Sequence, residues 1–182
     1  MIRPLRTAIP LMAFLAFTAG PASAQMAPST SDPPQLVGLF VQACVRFAGD
    51  PQALRAWIAA HNLPAVPAAQ AVPFLSVGPG EAFGASTLSG KHALNSYDSG
   101  ACEVIGLADD PAATQQLLLN RLQGLGVLVS RLETKAKPDG SSTQSLFEAT
   151  LGSRRWLLSL TAKPHSDAPN LQPELGLLAT PG

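Results

Sequence analysis

The side chains of this 182-residue chain that could do chemistry are two cysteines, three histidines, a crowd of hydroxyls between positions 76 and 100, and one pair of adjacent carboxylates. Metal binding by histidine asks for a second imidazole or a carboxylate at helical or hairpin spacing. His61, His92 and His165 stand far apart, with no His-x-x-x-His, no His-Glu pair and no carboxylate cluster beside them. His61 suits the last turn of a helix, where a cation meets the negative end of the helix dipole. His92 follows Lys91 in a strand-like stretch, and His165 lies in a tail rich in Pro, Asn and Gly. Asp109-Asp110 stands directly before Pro111, where capping explains both carboxylates, and a calcium loop would need further oxygen ligands at alternate positions.

Serine nucleophiles are marked by Gly-x-Ser-x-Gly on a strand-to-helix elbow, and Gly84-Ala85-Ser86-Thr87-Leu88 lacks the closing glycine. Gly78, Gly80 and Gly84 miss the dinucleotide fingerprint in spacing and follow prolines, so they are expected as turn residues. No cofactor, no metal site and no catalytic constellation is therefore expected. One enzymatic alternative stays open. A small hydrolase could assemble its groups from Ser76, Ser86, Ser89, Lys91, His92 and Tyr97, which would require His92 and a serine within hydrogen-bond reach in a pocket.

The first 24 residues are expected to be a cleavable export signal. Arg3 and Arg6 form a positive start, and Thr7 to Ala19 is nearly free of polar groups. That run of roughly a dozen residues, interrupted by Pro10, is shorter than the ~20 a bilayer-crossing helix needs, so no transmembrane anchor is expected. Ala22-Ser23-Ala24 then supplies the small residues of a cleavage site. The next residue is Gln25 and not a cysteine, so the product is not expected to be a lipoprotein. Cleavage after Ala24 leaves 158 residues, enough for one domain, in the periplasm or secreted.

Export places Cys44 and Cys102 where disulfides persist, and a single bridge between them is the expected state. The alternative is a reactive or metal-binding thiol pair, for which the two are far apart and outside a Cys-x-x-Cys arrangement.

The elements that must position these groups follow from apolar periodicity. Residues 25 to 34 form a Pro- and Ser-rich flexible leader. Leu36, Leu39, Phe40, Ala43, Cys44 and Phe47 repeat at helical spacing. Asp50-Pro51 reads as an N-cap with proline at the first helical position, followed by Leu54, Trp57, Ile58 and His61 on one stripe. Prolines 64, 67, 73 and 79 make a long surface connection. Strands are expected at 82–88, 92–97 and 101–107. A helix from Pro111 to Gly124 or Gly126 follows, then strands at 127–135, 142–151 and 155–163, separated by Pro138-Asp139-Gly140 and Gly152-Ser153. In the last strand only Leu157 breaks the alternation of apolar and polar residues. The expected fold is α+β, an antiparallel sheet with helices packed on one face, in the order α-α-β-β-β-α-β-β-β. The single domain is expected over 35–163, and 164–182 as a mobile tail.

Charge is unevenly distributed. From Gln25 to Asn120 three basic residues meet seven acidic ones, and from Arg121 to Lys163 seven basic residues meet three acidic ones. The last three strands could gather Arg131, Lys135, Arg155 and Lys163 on one wet face with Arg154 at its rim, an anionic-surface contact; the plainer reading is a solvated face that keeps an edge from pairing. Once the signal is removed the chain is mildly acidic, which argues against nucleic acid as a partner.

Phe40-Val41-Gln42-Ala43-Cys44-Val45 in a helix and Ser99-Gly100-Ala101-Cys102-Glu103-Val104 in a strand resemble the plan of small uncharacterised exported proteobacterial proteins with a two-cysteine domain. The resemblance covers Leu36 to Leu107, implies a disulfide between those positions and implies no activity. The function expected from all of this is that of a non-enzymatic, exported accessory or binding protein whose partner is an envelope component or protein. The alternatives are the small hydrolase above and an inhibitor or immunity-type partner of an envelope enzyme.

Overall fold

A computed structural model describes residues 33–87, 90–107, 111–163 and 174–182. The expected signal, most of the leader, Ser89, Asp109, Asp110 and His165 lie outside the described residues.

Helix α1 spans Pro33–Phe40 and runs on through a π-helical turn at Val41–Val45 to Phe47. It opens at Pro33, earlier than the apolar repeat indicates, because proline's preset φ suits a first helical turn whose N–H groups have no partner. Leu36, Val37, Phe40, Ala43 and Cys44 form its fully buried stripe. Helix α2, Pro51–Ala60, is capped by Asp50, whose carboxylate accepts the Ala53 N–H at 2.9 Å. A four-residue helix α3, Ala68–Ala71, and a tight turn at Val72–Phe74 lie inside the proline-rich connection. Strands β1 (Gly80–Thr87), β2 (Gly90–Tyr97) and β3 (Cys102–Leu107) precede α4 (Pro111–Gly124). Then come β4 (Leu128–Ala136), β5 (Thr143–Leu151), β6 (Arg154–Lys163) and β7 (Glu174–Pro181).

Among the described residues these seven strands form one antiparallel sheet, ordered β1-β2-β3-β7-β6-β5-β4. The α+β fold and its strand sequence up to β6 match expectation, with α3 added and with Gly80 and Gly84, expected as turn residues, lying in β1. The stretch expected as a mobile tail contains β7, which sits at the centre of the sheet between β3 and β6. Leu175-Gly176-Leu177-Leu178-Ala179 is a short, glycine-interrupted apolar run, and it lacks the alternation that marks a half-wet strand.

Strand registers sort the side chains onto two faces. One face carries Leu94, Cys102, Val104, Phe147, Ala149, Trp156, Leu158, Leu160 and Ala179, which join α1, α2 and α4 in a single core. The short α3 differs from the other helices: it packs on β1, and the turn after it brings the Phe74 carbonyl onto Asn95 of β2. The Cys44–Cys102 disulfide ties α1 to β3, with Cα atoms 5.1 Å apart. Beside it the turn after β2 packs on the turn after α1, where the Gly49 N–H bonds the Gly100 carbonyl at 3.2 Å. Gly100 has φ of +86°, and a Cβ there would lie 3.0 Å from the Gly49 Cα, so only glycine fits.

The bridge closes a separation of 58 residues, for which chain entropy predicts about 4 kcal/mol of stabilisation. Reduction in urea-unfolding experiments is expected to lower stability by about that amount, and a loss under ~1 kcal/mol would remove the bridge from the stability argument. Deleting residues 174–182 is expected to abolish cooperative thermal unfolding, because β3 and β6 then lose the strand that joins them; a truncated chain with an unchanged near-ultraviolet spectrum would contradict this.

Candidate functional site

The connection from Pro64 to Pro79 has no charged residue and acts as a strap across the far face of β1 and β2. It begins as a fragment of strand, because Ala65 bridges Phe83, the Val66 N–H bonds the Ala82 carbonyl at 2.8 Å, and the Gly84 N–H bonds the Pro64 carbonyl at 2.9 Å. Pro67 ends that pairing, and α3 with the turn at Val72–Phe74 carries the chain over the sheet. The strap closes where the Pro79 carbonyl accepts the Asp98 N–H at 2.9 Å.

Beneath the strap lies a polar cluster. Asn95 and Tyr97 are fully buried, and their odd numbering in β2 places both on the far face together with Glu103 of β3. Tyr97 Oη donates to Glu103 Oε2 at 2.7 Å, and Asn95 Nδ2 donates to the same oxygen at 3.0 Å and to the Phe74 carbonyl at 2.8 Å. The Phe74 carbonyl is also 3.3 Å from Tyr97 Oη. Burial pushes the Tyr97 phenol up to about 12; the hydrogen bond to Glu103 and its negative charge act the same way, while hydrogen bonds from Ser76 and Asn95 oppose them. At the hairpin end Arg55 of α2 clamps the sheet, with Nη2 2.5 Å from Asp98 Oδ1 and 3.1 Å from the Ser96 carbonyl, and Nε 3.3 Å from Glu81 Oε1.

The hydroxyls and bases crowded between 76 and 100 are divided by the sheet. His92 is on the helical face, 4% exposed, and a Cβ on its cross-strand partner Gly106 would lie 2.5 Å from the imidazole Nδ1 and 2.9 Å from Leu36. Burial holds its pKa below the usual histidine range. Tyr97 lies on the other face, as does the exposed Ser86. Ser96 shares the face of His92 but is four residues along the strand, about 13 Å away at strand rise. Ser76 is at Tyr97, not at His92. His61 closes α2, its Nδ1 2.8 Å from the Trp57 carbonyl and its ring 4.1 Å from the indole centroid. Among the described residues no three His, Cys, Asp or Glu side chains are placed to hold a metal ion.

The expected basic face is also divided. A register shift between Arg131 and Glu133 puts Arg131 and Lys135 on opposite faces of β4, although their even spacing would place them together in a regular strand. Arg131 covers the Phe147 ring at 5.6 Å and Arg154 the Trp156 ring at 5.4 Å, both on the helical side. Lys135, Arg155 and Lys163 remain on the far face. Lys135 pairs with Glu133 at 2.7 Å and Arg155 with Glu148 at 3.3 Å. Lys135, Lys137 and Lys163 also border an open groove of about 360 Å³ with Gln144 and Thr161.

What the far face does gather over β5, β6 and β7 is leucine. Leu146 and Leu178 flank Ser159 in one cross-strand row, and Leu157 sits diagonal to both. Leu157 is 43% exposed, whereas Ser159 among them is only 8% exposed. The Arg155–Glu148 and Lys135–Glu133 pairs stand around this triangle. Its one visible trace in the sequence is the break in alternation at Leu157. The Asn95–Tyr97–Glu103 cluster had a weaker trace, two polar residues at alternate positions of β2.

Compared with known proteins, the chain matches no family model, no curated protein and no solved structure. Within it, fold and site define a disulfide-bonded α+β domain in which no described helix is long and apolar enough to cross a membrane.

Tyr97 is the only tyrosine, so the ultraviolet absorbance of its phenolate reports this site alone. Its folded pKa lies above the unfolded value of about 10, so the stability it adds is complete below pH ~10 and is lost as pH rises towards about 12. Glu103→Gln is expected to move the titration midpoint downward, and an unmoved midpoint would show that Glu103 does not act on the phenol.

Proposed function

We propose that this is an exported, periplasmic or secreted accessory protein that works by binding, and that it docks a protein of the cell envelope on the open far face of β5, β6 and β7. The observation that carries the reading is the triangle of Leu146, Leu157 and Leu178, with the Arg155–Glu148 and Lys135–Glu133 pairs around it. An apolar centre inside a polar rim is the anatomy of a protein–protein interface. The ion pairs leave this rim near charge balance, which favours a protein over an anionic lipid surface. Strand spacing gives the far face from β3 to β4, four interstrand steps, a width of about 19 Å, suited to contacts at the lower end of interface sizes and therefore to transient association. The Cys44–Cys102 bridge supports an oxidising location for the folded domain.

The test is cross-linking of the full chain in its native envelope, followed by titration of the identified partner against variants. Leu157→Glu is expected to weaken affinity at least ten-fold, because a charge replaces the apolar centre, while Arg154→Glu on the other face leaves it within two-fold. Equal loss from both variants, or loss from Arg154→Glu alone, would move the contact off this face.

A further inference from the structure

We infer that residues 67–79 form a lid that opens without unfolding the domain and uncovers a site on Asn95, Tyr97 and Glu103 for an extended peptide. This site borders the leucine triangle at Leu178, and its opening does not depend on what docks there.

The lid buries little. Among residues 67–79 only Ala71 is a buried side chain; Phe74 and Leu75 are half-buried, and Val72 and Val77 are 72% and 48% exposed. Its attachments are hydrogen bonds: Asn95 and Tyr97 to the Phe74 carbonyl and Ser76 to Tyr97 within it, the Asp98 N–H to Pro79 at its end, and the Val66–Ala82 and Pro64–Gly84 bonds just before it. Segments with few buried apolar contacts open at a fraction of the global free energy. The floor beneath belongs to β2 and β3, whose pairing to each other and to β1 and β7 involves no lid residue. Opening therefore leaves the sheet intact.

The chemistry of the uncovered site follows from what fills it now. A peptide carbonyl, that of Phe74, sits on the Asn95 amide and beside the Tyr97 hydroxyl. Asn95 Oδ1 is buried without a hydrogen-bond partner, so it can accept an N–H, and the Glu103 carboxylate offers further acceptor capacity. Donors for a carbonyl beside acceptors for an N–H are the complement of an extended backbone. In the β3–β7 register Glu103 lies opposite Leu178, so the site is continuous with the rest of the far face.

Hydrogen exchange on the disulfide-intact chain tests the lid. The amide of Asp98, held by the Pro79 carbonyl of the lid, is expected to exchange at least 100-fold faster than those of the β2–β3 ladder; exchange at the ladder's rate would show that the lid opens only with global unfolding and would overturn the inference. A synthetic peptide of residues 67–78 tests the site. It is expected to bind saturably to a Val66→Pro chain, in which one attachment is removed, and at least ten-fold more weakly when Asn95→Leu or Tyr97→Phe is added. Absence of binding, or binding indifferent to both substitutions, would reject the peptide site even where the lid proves mobile.

Discussion

The hydrogen-bonded ladder of β7 holds this molecule together. β1, β2 and β3 form one antiparallel set of consecutive strands, and β4, β5 and β6 form another. Each has one face to bury and neither reaches the other. β7 pairs with β3 through Cys102↔Ala179 to Leu107↔Glu174, and with β6 through Trp156↔Pro181 to Lys163↔Glu174. Backbone bonds on both edges merge the two sets into a sheet wide enough for α1, α2 and α4 to share one core. β7 is thus the central strand, and its pairs with β3 join residues 67 to 77 positions apart in sequence.

The disulfide and β7 act on the same strand from different directions. Cys102 is joined to Cys44 of α1 and sits opposite Ala179 of β7. The covalent bond ties β3 to the helical layer, while β7 ties it to the other half of the sheet. Gly100 meets Gly49 beside the bridge, where a Cβ on Gly100 would press on the Gly49 backbone, so the turns flanking both cysteines are packed as one unit. The helical face is consequently the covalently tied side of the protein. Its buried histidine, His92, packs beside Leu36 and Gly106.

The far face carries the features available for recognition. Half of it lies under an uncharged strap that covers polar side chains, and half is open with leucines inside ion pairs. This inverts the usual pattern, since apolar residues at the strap are exposed and the polar residues beneath are buried. Such an arrangement stores hydrogen-bonding capacity under a cover that gives up little apolar burial when it moves.

Local periodicity was sufficient for most of the elements. The helical stripe around Cys44, the cap at Asp50-Pro51, the three strands up to Leu107 and the three from Leu128 to Lys163 are all legible, because apolar periods of 3.6 or 2 residues, cap residues and turn residues mark them. The cysteine pair was legible because only two exist. β7 was hidden, since its run is short, glycine-interrupted and apolar at consecutive positions, so no period of 2 marks it. The division of Arg131 from Lys135 was hidden too, because one unpaired residue at the β4 irregularity reverses which face every later side chain takes. The cluster of Asn95, Tyr97 and Glu103 beneath Phe74 joins residues 74 to 103 through a carbonyl that carries no side-chain identity. Residue types set what could be buried and what could be bonded; strand register and the path of a proline-rich connection set which of those groups meet.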